Sequence, residues 1–128
     1  MSSPPLVLLI DDEPEQVEMY QLSLESAGFE VISAYTGGDG VSLARARQPD
    51  AIVLDLRLPD ITGWEVCGLL KTDPQTERIP VVILTAIDSP GLSDQAARAG
   101  CAAHLLKPCF PDQLIKVVRT VLPGHLVA

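Results

Sequence analysis

The sequence lacks any apolar run of about twenty residues, the length that a membrane-spanning helix needs. We therefore expect no membrane-spanning segment and no membrane partner. The first residues, Met1-Ser-Ser-Pro-Pro, contain neither a basic segment nor the small-residue pattern of a cleavage site. From this we expect no secretory signal and a cytoplasmic location.

Cysteines and basic side chains are also few. The three cysteines, Cys67, Cys101 and Cys109, are an odd number without Cys-x-x-Cys spacing, which argues against a disulfide framework and a zinc site. We expect thiols that are buried or unreactive. Nine Lys and Arg against seventeen Asp and Glu give a net charge of −8. This is the wrong sign for contact with a phosphate backbone, so we expect no direct nucleic-acid binding.

What the sequence does contain is a regular alternation of strand-like and helix-like segments. Its 128 residues fit one domain, 1–128, with a core of about 5–122. Short apolar runs predict strands at 6–10, 30–34, 51–55, 80–84 and 103–106. Helical spacing, caps and Pro or Gly stops predict helices at 15–27, from Thr36 to before Pro49, at 63–71, at 89–99 with a weak pattern, and at 111–121.

This βα unit, repeated five times, predicts an α/β fold with a doubly wound parallel sheet. Right-handed crossovers place helices on both faces of such a sheet. Strands that are buried on both faces are continuously apolar, as are residues 6–10, 52–54 and 81–84. In open sheets of this class, ligands bind beyond the carboxyl ends of the strands.

Polar residues follow four of the five predicted strands, at the point where each strand ends. The pair Asp11-Asp12 follows the first strand, and Asp55 ends the third. Thr85 follows the fourth strand, and Lys107 follows the fifth. Alone, each has an ordinary explanation, such as a helix cap or a solvated surface charge. Together they predict one site, in which Asp55 is suited to act as a nucleophile or metal ligand.

These residues and their spacing resemble the receiver domain of two-component response regulators, over nearly the whole chain. Thirty positions separate Asp55 from Thr85, and twenty-two separate Thr85 from Lys107. The resemblance implies a flavodoxin-like sheet in strand order 2-1-3-4-5, the order that the chemotaxis receiver has. It also implies that a sensor histidine kinase or phosphotransfer protein phosphorylates Asp55, and that a downstream output domain or protein receives the signal.

The resemblance gives each site residue a role that agrees with phosphoryl-transfer chemistry. Asp55 is the phosphoacceptor, and Mg²⁺ offsets the negative charge around it. We expect Asp12, Asp55 and the backbone carbonyl of Arg57 to bind the ion directly, and Asp11 to act mainly through water. For the phosphoryl oxygens, the expected donors are the ammonium of Lys107 and the hydroxyl of Thr85.

The family also implies a conformational switch, in which the hydroxyl of Thr85 moves and an aromatic residue three positions before the lysine turns inward. His104 occupies that position, so the switch is expected to depend weakly on pH. The alternative is a half-buried strand histidine without a switching role. The weak helix at 89–99, the fifth strand and the last helix form the expected signalling surface.

Departures from the common receiver pattern concern the lifetime of the phosphoryl group. Arg57 and Ile87 flank the expected path of hydrolytic water, and neither is a good general base. We expect slow autodephosphorylation and no other enzymatic activity. Cys109-Phe110 is a further departure, because the family usually has Phe directly after Lys-Pro, and the packing there is left open.

Three other functions have weaker support in the sequence. A phosphatase of the haloacid dehalogenase type uses a similar residue set, but its nucleophile follows the first strand in an Asp-x-Asp pattern, which Asp11-Asp12-Glu13 fits poorly. A receiver-like interaction module that is not phosphorylated would have no need of the complete site. A flavodoxin-like nucleotide or flavin binder lacks support, because no Gly-rich loop follows the first strand.

Overall fold

The computed structural model describes residues 3–123, and these form five strands alternating with five helices. Residues 1–2 and 124–128 of the predicted domain lie outside the described residues. The strands are β1 (Leu6–Ile10), β2 (Glu30–Ala34), β3 (Ala51–Leu54), β4 (Val81–Thr85) and β5 (Ala103–Leu106). The helices are α1 (Pro14–Ser26), α2 (Gly37–Arg47), α3 (Gly63–Lys71), α4 (Leu92–Arg98) and α5 (Pro111–Val121).

The strands form one parallel sheet in the order β2-β1-β3-β4-β5, which confirms the predicted fold class and strand order. At the centre of the sheet, Leu8 of β1 is paired with Ile32 of β2 on one side and Ile52 of β3 on the other. All residues of β3 and β4 are buried, as their continuously apolar sequences predicted.

Two hydrophobic cores lie on opposite faces of the sheet. Side chains alternate between the faces of a strand, so Leu8 and Ile10 pack on one side and Val7 and Leu9 on the other. The first core is completed by α2, α3 and the start of α4, and the second by α1 and α5. The sheet is thus covered on both faces, and its carboxyl edge is left for the polar residues.

Side-chain caps explain where two helices begin. The hydroxyl of Thr36 accepts a hydrogen bond from the N–H of Asp39 (3.1 Å) at the start of α2. Thr62 and Glu65 form a capping box at the start of α3, with a 3.1 Å bond from the Glu65 N–H to the Thr62 hydroxyl. The second cap fixes the end of the loop that follows β3.

Some predicted bounds were wrong by one to three residues. β3 ends at Leu54, so Asp55 is the first residue beyond it, whereas Thr85 belongs to β4 because its carbonyl accepts a hydrogen bond from the Lys107 N–H (2.8 Å). Helix α4 spans 92–98 rather than 89–99. It is preceded by Gly91 and followed by Gly100, which have left-handed φ values of 84° and 81°.

Within residues 3–123, the helices are too short or too polar for any of them to cross a membrane.

Candidate functional site

The two aspartates at the centre of the site are held by backbone hydrogen bonds to neighbouring strands. The N–H of Asp11 donates to the carbonyl of Ala34 in β2 (3.1 Å), and the N–H of Asp55 donates to the carbonyl of Ile10 in β1 (2.9 Å). Each bond continues the sheet one residue beyond a strand end. The two carboxylates are therefore placed by the rigid sheet rather than by a free loop.

Lys107 bridges these two aspartates. Its Nζ atom lies 2.8 Å from Oδ2 of Asp11 and 3.0 Å from Oδ2 of Asp55. Only 6% of the Lys107 side chain is exposed, so the three groups interact away from bulk water, where charge interactions are stronger. Burial alone lowers the pKa of Lys107, but the hydrogen bonds and charges of the two carboxylates outweigh burial and raise it. The ammonium is therefore held in its charged form.

A third carboxylate, that of Asp12, completes an acidic cluster. Asp11, Asp12 and Asp55 each offer an oxygen, and these three oxygens lie within 4.8 Å of one another. The ammonium of Lys107 offsets only one of the three negative charges. Carboxylate oxygens at this spacing, with Asp12 exposed to solvent, fit a hard cation such as Mg²⁺, which keeps several water ligands.

The two members of the acidic pair have different surroundings. Asp11 is buried, and both of its oxygens accept hydrogen bonds, Oδ2 from Lys107 and Oδ1 from the N–H of Glu13 (3.0 Å). Asp12 is exposed, and its side chain lines the cavity above Asp55. Asp12 therefore offers its carboxylate to the cavity, whereas the carboxylate of Asp11 is already hydrogen-bonded.

The remaining predicted residues surround this cavity, which has a volume of about 50 Å³. Thr85 is fully buried, and its hydroxyl accepts a hydrogen bond from the Ile87 N–H (3.2 Å). The N–H of Arg57 donates to Oδ1 of Asp55 (3.1 Å), the oxygen that Lys107 does not contact. The lining consists of Asp12, Glu13, Asp55, Arg57, Thr85, Ala86, Ile87 and Lys107.

His104 lies apart from this group. It is in β5, its side chain is exposed, and it is not among the residues that line the cavity. Leu106, two positions later on the same face of β5, is also exposed. His104 is thus more exposed than the half-buried position that we considered as its alternative.

Sequence reasoning missed Asp60, which anchors the loop between β3 and α3. Its two carboxylate oxygens accept hydrogen bonds from the N–H groups of Gly37 and Gly38, each 2.8 Å long, at the start of α2. Both hydrogen bonds lower the pKa of Asp60, and the one from Gly38 has the larger effect. The signal was an acidic residue after Pro59 together with a Gly-Gly helix start, but sequence alone gives no reason to pair them.

The segment after Lys107 also contains contacts that the sequence did not reveal. The Lys107–Pro108 peptide bond is cis. Cys109 is buried in the second core, and its carbonyl accepts a hydrogen bond from the hydroxyl of Tyr20 in α1 (2.9 Å). Phe110 points outward and is 78% exposed. In this chain Cys109 therefore contributes to the core, and the aromatic ring of Phe110 lies on the surface.

The sequence of residues 7–119 matches the family described as the response regulator receiver domain. The chain belongs to this family. It is 38% identical over 120 residues to the protein PilH of Pseudomonas aeruginosa, an alignment that covers 92% of this chain and 98% of PilH. It is 30% identical over 119 residues to the polar-differentiation response regulator DivK of Brucella anthropi, covering 93% and 97% of the two chains. Receivers are signalling domains of two-component systems that work with histidine kinases or phosphotransfer proteins.

Solved receiver structures resemble this one over most of its length. The receiver domain of a sensor histidine kinase from Pseudomonas aeruginosa, described with a magnesium ion coordinated in its active site cleft, has a TM-score of 0.84 and 26% identity. That comparison covers 92% of this chain and 97% of the other. In the present chain the acidic cluster lies beyond the carboxyl ends of β1 and β3.

Proposed function

We propose that this protein is a phosphoacceptor receiver, with the domain core at residues 5–122, in which Asp55 accepts a phosphoryl group from a histidine kinase or phosphotransfer protein. The observation that carries the proposal is the position of Lys107, whose ammonium bridges the carboxylates of Asp11 and Asp55. The ammonium places a fixed positive charge at one oxygen of the buried Asp55 carboxylate, next to a cavity. This arrangement is suited to phosphoryl transfer.

In this proposal Asp55 attacks phosphorus through a carboxylate oxygen, and the bond from phosphorus to the donor breaks. The product is an acyl phosphate on Asp55, and the donor leaves with the electron pair of the broken bond. Lys107 exchanges one of its carboxylate contacts for a phosphoryl oxygen, and the hydroxyl of Thr85, which lines the same cavity, donates to another. Both residues act by offsetting charge rather than by forming covalent bonds.

Mg²⁺ is the proposed cofactor, held by Asp12, Asp55 and the backbone carbonyl of Arg57, with Asp11 acting through water. When bound, the ion offsets the negative charge that would otherwise repel the incoming phosphoryl group. The spacing of the three acidic side chains and the exposure of Asp12 support this ligand set. The cavity lining supports the indirect role of Asp11, because Asp12, Asp55 and Arg57 line the cavity and Asp11 does not.

The proposed output is a change in the surface formed by α4, β5 and α5, triggered by Thr85. Thr85 is in β4 next to the edge strand β5, and its carbonyl accepts a hydrogen bond from the N–H of Lys107. A movement of the Thr85 hydroxyl would therefore occur near both the site and β5. Helix α4 has only seven residues and two buried side chains, Leu92 and Ala96. Such weak anchoring favours local movement. His104 is the proposed second switch residue.

Intact-mass analysis after incubation with acetyl phosphate tests the proposal. We expect a phosphoryl adduct on the wild type that requires Mg²⁺ and is absent from Asp55→Asn. Asp50→Asn is the matched control, because Asp50 lies at the opposite end of β3 from Asp55, where its carboxylate accepts a hydrogen bond from the N–H of Leu6. An adduct that persists in Asp55→Asn would overturn the assignment of the phosphoacceptor.

The same samples distinguish a phosphoacceptor receiver from a phosphatase. A haloacid dehalogenase-like enzyme would hydrolyse a phosphomonoester, such as p-nitrophenyl phosphate, through many turnovers. Its nucleophile would follow β1 in an Asp-x-Asp pattern, whereas β1 is followed here by Asp11-Asp12-Glu13. We expect no turnover beyond the single phosphoryl group carried by Asp55.

A further inference from the structure

Two of the three cysteines contact each other on the face of the sheet that is covered by α2 and α3. Cys67 is in α3 and is fully buried, and Cys101 is in the connection between α4 and β5 and is partly exposed. Their Sγ atoms lie 3.4 Å apart, and both thiols are free. The residues are separated by 34 positions in the chain, so the fold creates this contact.

A fixed positive charge lies beside the pair. Lys71 is one helical turn after Cys67, and its Nζ atom donates hydrogen bonds to the carbonyls of Glu77 (3.1 Å) and Ile79 (2.8 Å). The stem of Lys71 packs on Gly100, where a Cβ would lie 3.6 Å from its Cγ atom. Because Gly100 directly precedes Cys101, the ammonium is held near both thiols.

The two thiols have different chemical environments. The hydrogen bond from Cys67 lowers the pKa of the Cys101 thiol, burial opposes this effect, and the charge of Lys71 lowers the pKa further. The same hydrogen bond and the deeper burial of Cys67 raise the pKa of its thiol. The thiolate is the reactive form of cysteine. Cys101 is therefore an accessible nucleophile, and Cys67 is a buried partner in contact with it.

We propose that Cys67 and Cys101 are a redox pair, which a hydroperoxide converts to a reversible intramolecular disulfide. The Cys101 thiolate attacks one peroxide oxygen, which forms an S–O bond and breaks the O–O bond, and the leaving oxygen takes up a proton. Cys67 then attacks Sγ of the Cys101 sulfenic acid, loses its thiol proton and displaces the oxygen as water. The two thiols lose two electrons, and these reduce hydrogen peroxide to two molecules of water.

The bond would restrain the least anchored helix of the domain. The N–H of Cys101 donates to the carbonyl of Ala96 (3.0 Å), so Cys101 closes the carboxyl end of α4. A disulfide to Cys67 would attach that end to α3, on the side of the sheet away from α1 and α5. This modification site goes beyond the phosphoryl chemistry and does not depend on it.

Thiol counting and peptide mapping of the reduced wild-type protein after treatment with hydrogen peroxide test the proposal. We expect the free thiols to fall from three to one, the intact mass to fall by two hydrogen atoms, and dithiothreitol to restore all three thiols. The peptide map should contain a Cys67–Cys101 cross-link. Cys109→Ser is the matched control, because Cys109 is buried in the other core, and this variant should still form the cross-link.

The physical effect of oxidation gives a second readout. Closing a loop of this length should raise the Tm of the wild type by about 10 °C. Hydrogen exchange in α4 should slow, whereas Cys101→Ser should show neither change. Retention of three thiols, a cross-link to Cys109 or between two chains, or oxidation of Cys101 to a sulfinic acid alone would each overturn the proposal. Mapping of the wild type decides the outcome even if a variant does not fold.

Discussion

Nζ of Lys107 lies 3.0 Å from Oδ2 of Asp55, and both side chains are more than nine-tenths buried. In the absence of a bound cation, this ammonium is the main counter-charge for the acidic cluster. The proposed function of the site and the stability of the fold are therefore expected to depend on the same residue.

Replacement of the ammonium should destabilise the protein. Lys107→Met keeps most of the apolar stem but leaves Asp11 and Asp55 buried without their partner. We expect the free energy of unfolding to fall by about 3 kcal/mol in urea titrations at neutral pH without Mg²⁺. Lys116→Met, on the exposed side of α5, is the control and should change it by less than about 0.5 kcal/mol. Equal effects of the two substitutions would contradict the role of the bridge.

Replacement of two glycines of α3 by alanine should change the free energy of unfolding in opposite directions. A Cβ on Gly63 would lie 2.6 Å from the carbonyl oxygen of Asp55 and from Cα of Leu56, so Gly63→Ala must displace the loop behind the site. We expect a loss of about 1–3 kcal/mol of unfolding free energy. Gly68→Ala meets no atom within 4 Å and should stabilise the protein by about 0.5–1 kcal/mol. Thermal or urea unfolding of both variants checks the pair.

Asp60 should make the protein more stable at neutral pH than in acid. The N–H groups of Gly38 and Gly37 hold the pKa of this carboxyl below its ordinary value of 3.8. Its contribution to stability is therefore complete above that value and is lost as the pH falls through the lower pKa of the folded state. Asp60→Asn should thus be less stable than the wild type at pH 7, and the difference should shrink at pH 3. Glu18→Gln, which removes an exposed carboxylate from α1, serves as the control. A difference that is the same at both pH values would count against this role.

The lifetime of the phosphoryl group should depend on Arg57 and Ile87. Both residues line the cavity beside Asp55, and neither can accept a proton from an attacking water. We expect Ile87→Glu and Arg57→Asn to accelerate the loss of the phosphoryl group, by about tenfold or more for the glutamate variant. The rate follows from intact-mass measurements after acetyl phosphate is removed. Decay as slow as that of the wild type in both variants would exclude this explanation.

His104 should affect how the switch depends on pH. Its exposed imidazole would have to turn inward next to β4, and an ordinary imidazole gains charge between pH 8 and pH 5. We expect phosphorylation to change hydrogen exchange in α4 more at pH 8 than at pH 5.5 in the wild type, because a charged ring is costly to bury. His104→Tyr should respond equally at both pH values. Identical pH profiles for the two proteins would leave His104 without this function.

Much of this architecture could be predicted from the sequence because its signals are local. Continuous apolar runs identified the buried strands, and the polar residues after four of the five runs were expected to lie together, since parallel strands end at one edge. The weak helix was predicted three residues too long at its start, because its left-handed glycine, Gly91, could not be distinguished from a residue within the first turn. Here local propensity was a poor guide because few buried side chains anchor the segment.

Contacts between distant side chains could not be predicted. The bonds of Asp60 to Gly37 and Gly38 join segments more than twenty positions apart, and the contact of Cys67 with Cys101 joins segments 34 positions apart. Periodicity describes which face of an element is buried, but it contains no information on which residues of two elements meet. The thiols were expected to be buried or unreactive; Cys67 and Cys109 are buried, and Cys101 is partly exposed.

The order of the strands also determines the direction from which the site can be reached. The four strands that end in site residues, β1, β3, β4 and β5, are consecutive in the sheet and span about 14 Å, at about 4.8 Å between neighbours. The sheet lies beneath Asp55 and packed helices lie on either side, so the proposed phosphodonor would reach Asp55 from beyond the strand ends. Binding of another protein to the helical faces and chemistry at the strand ends are therefore sterically independent.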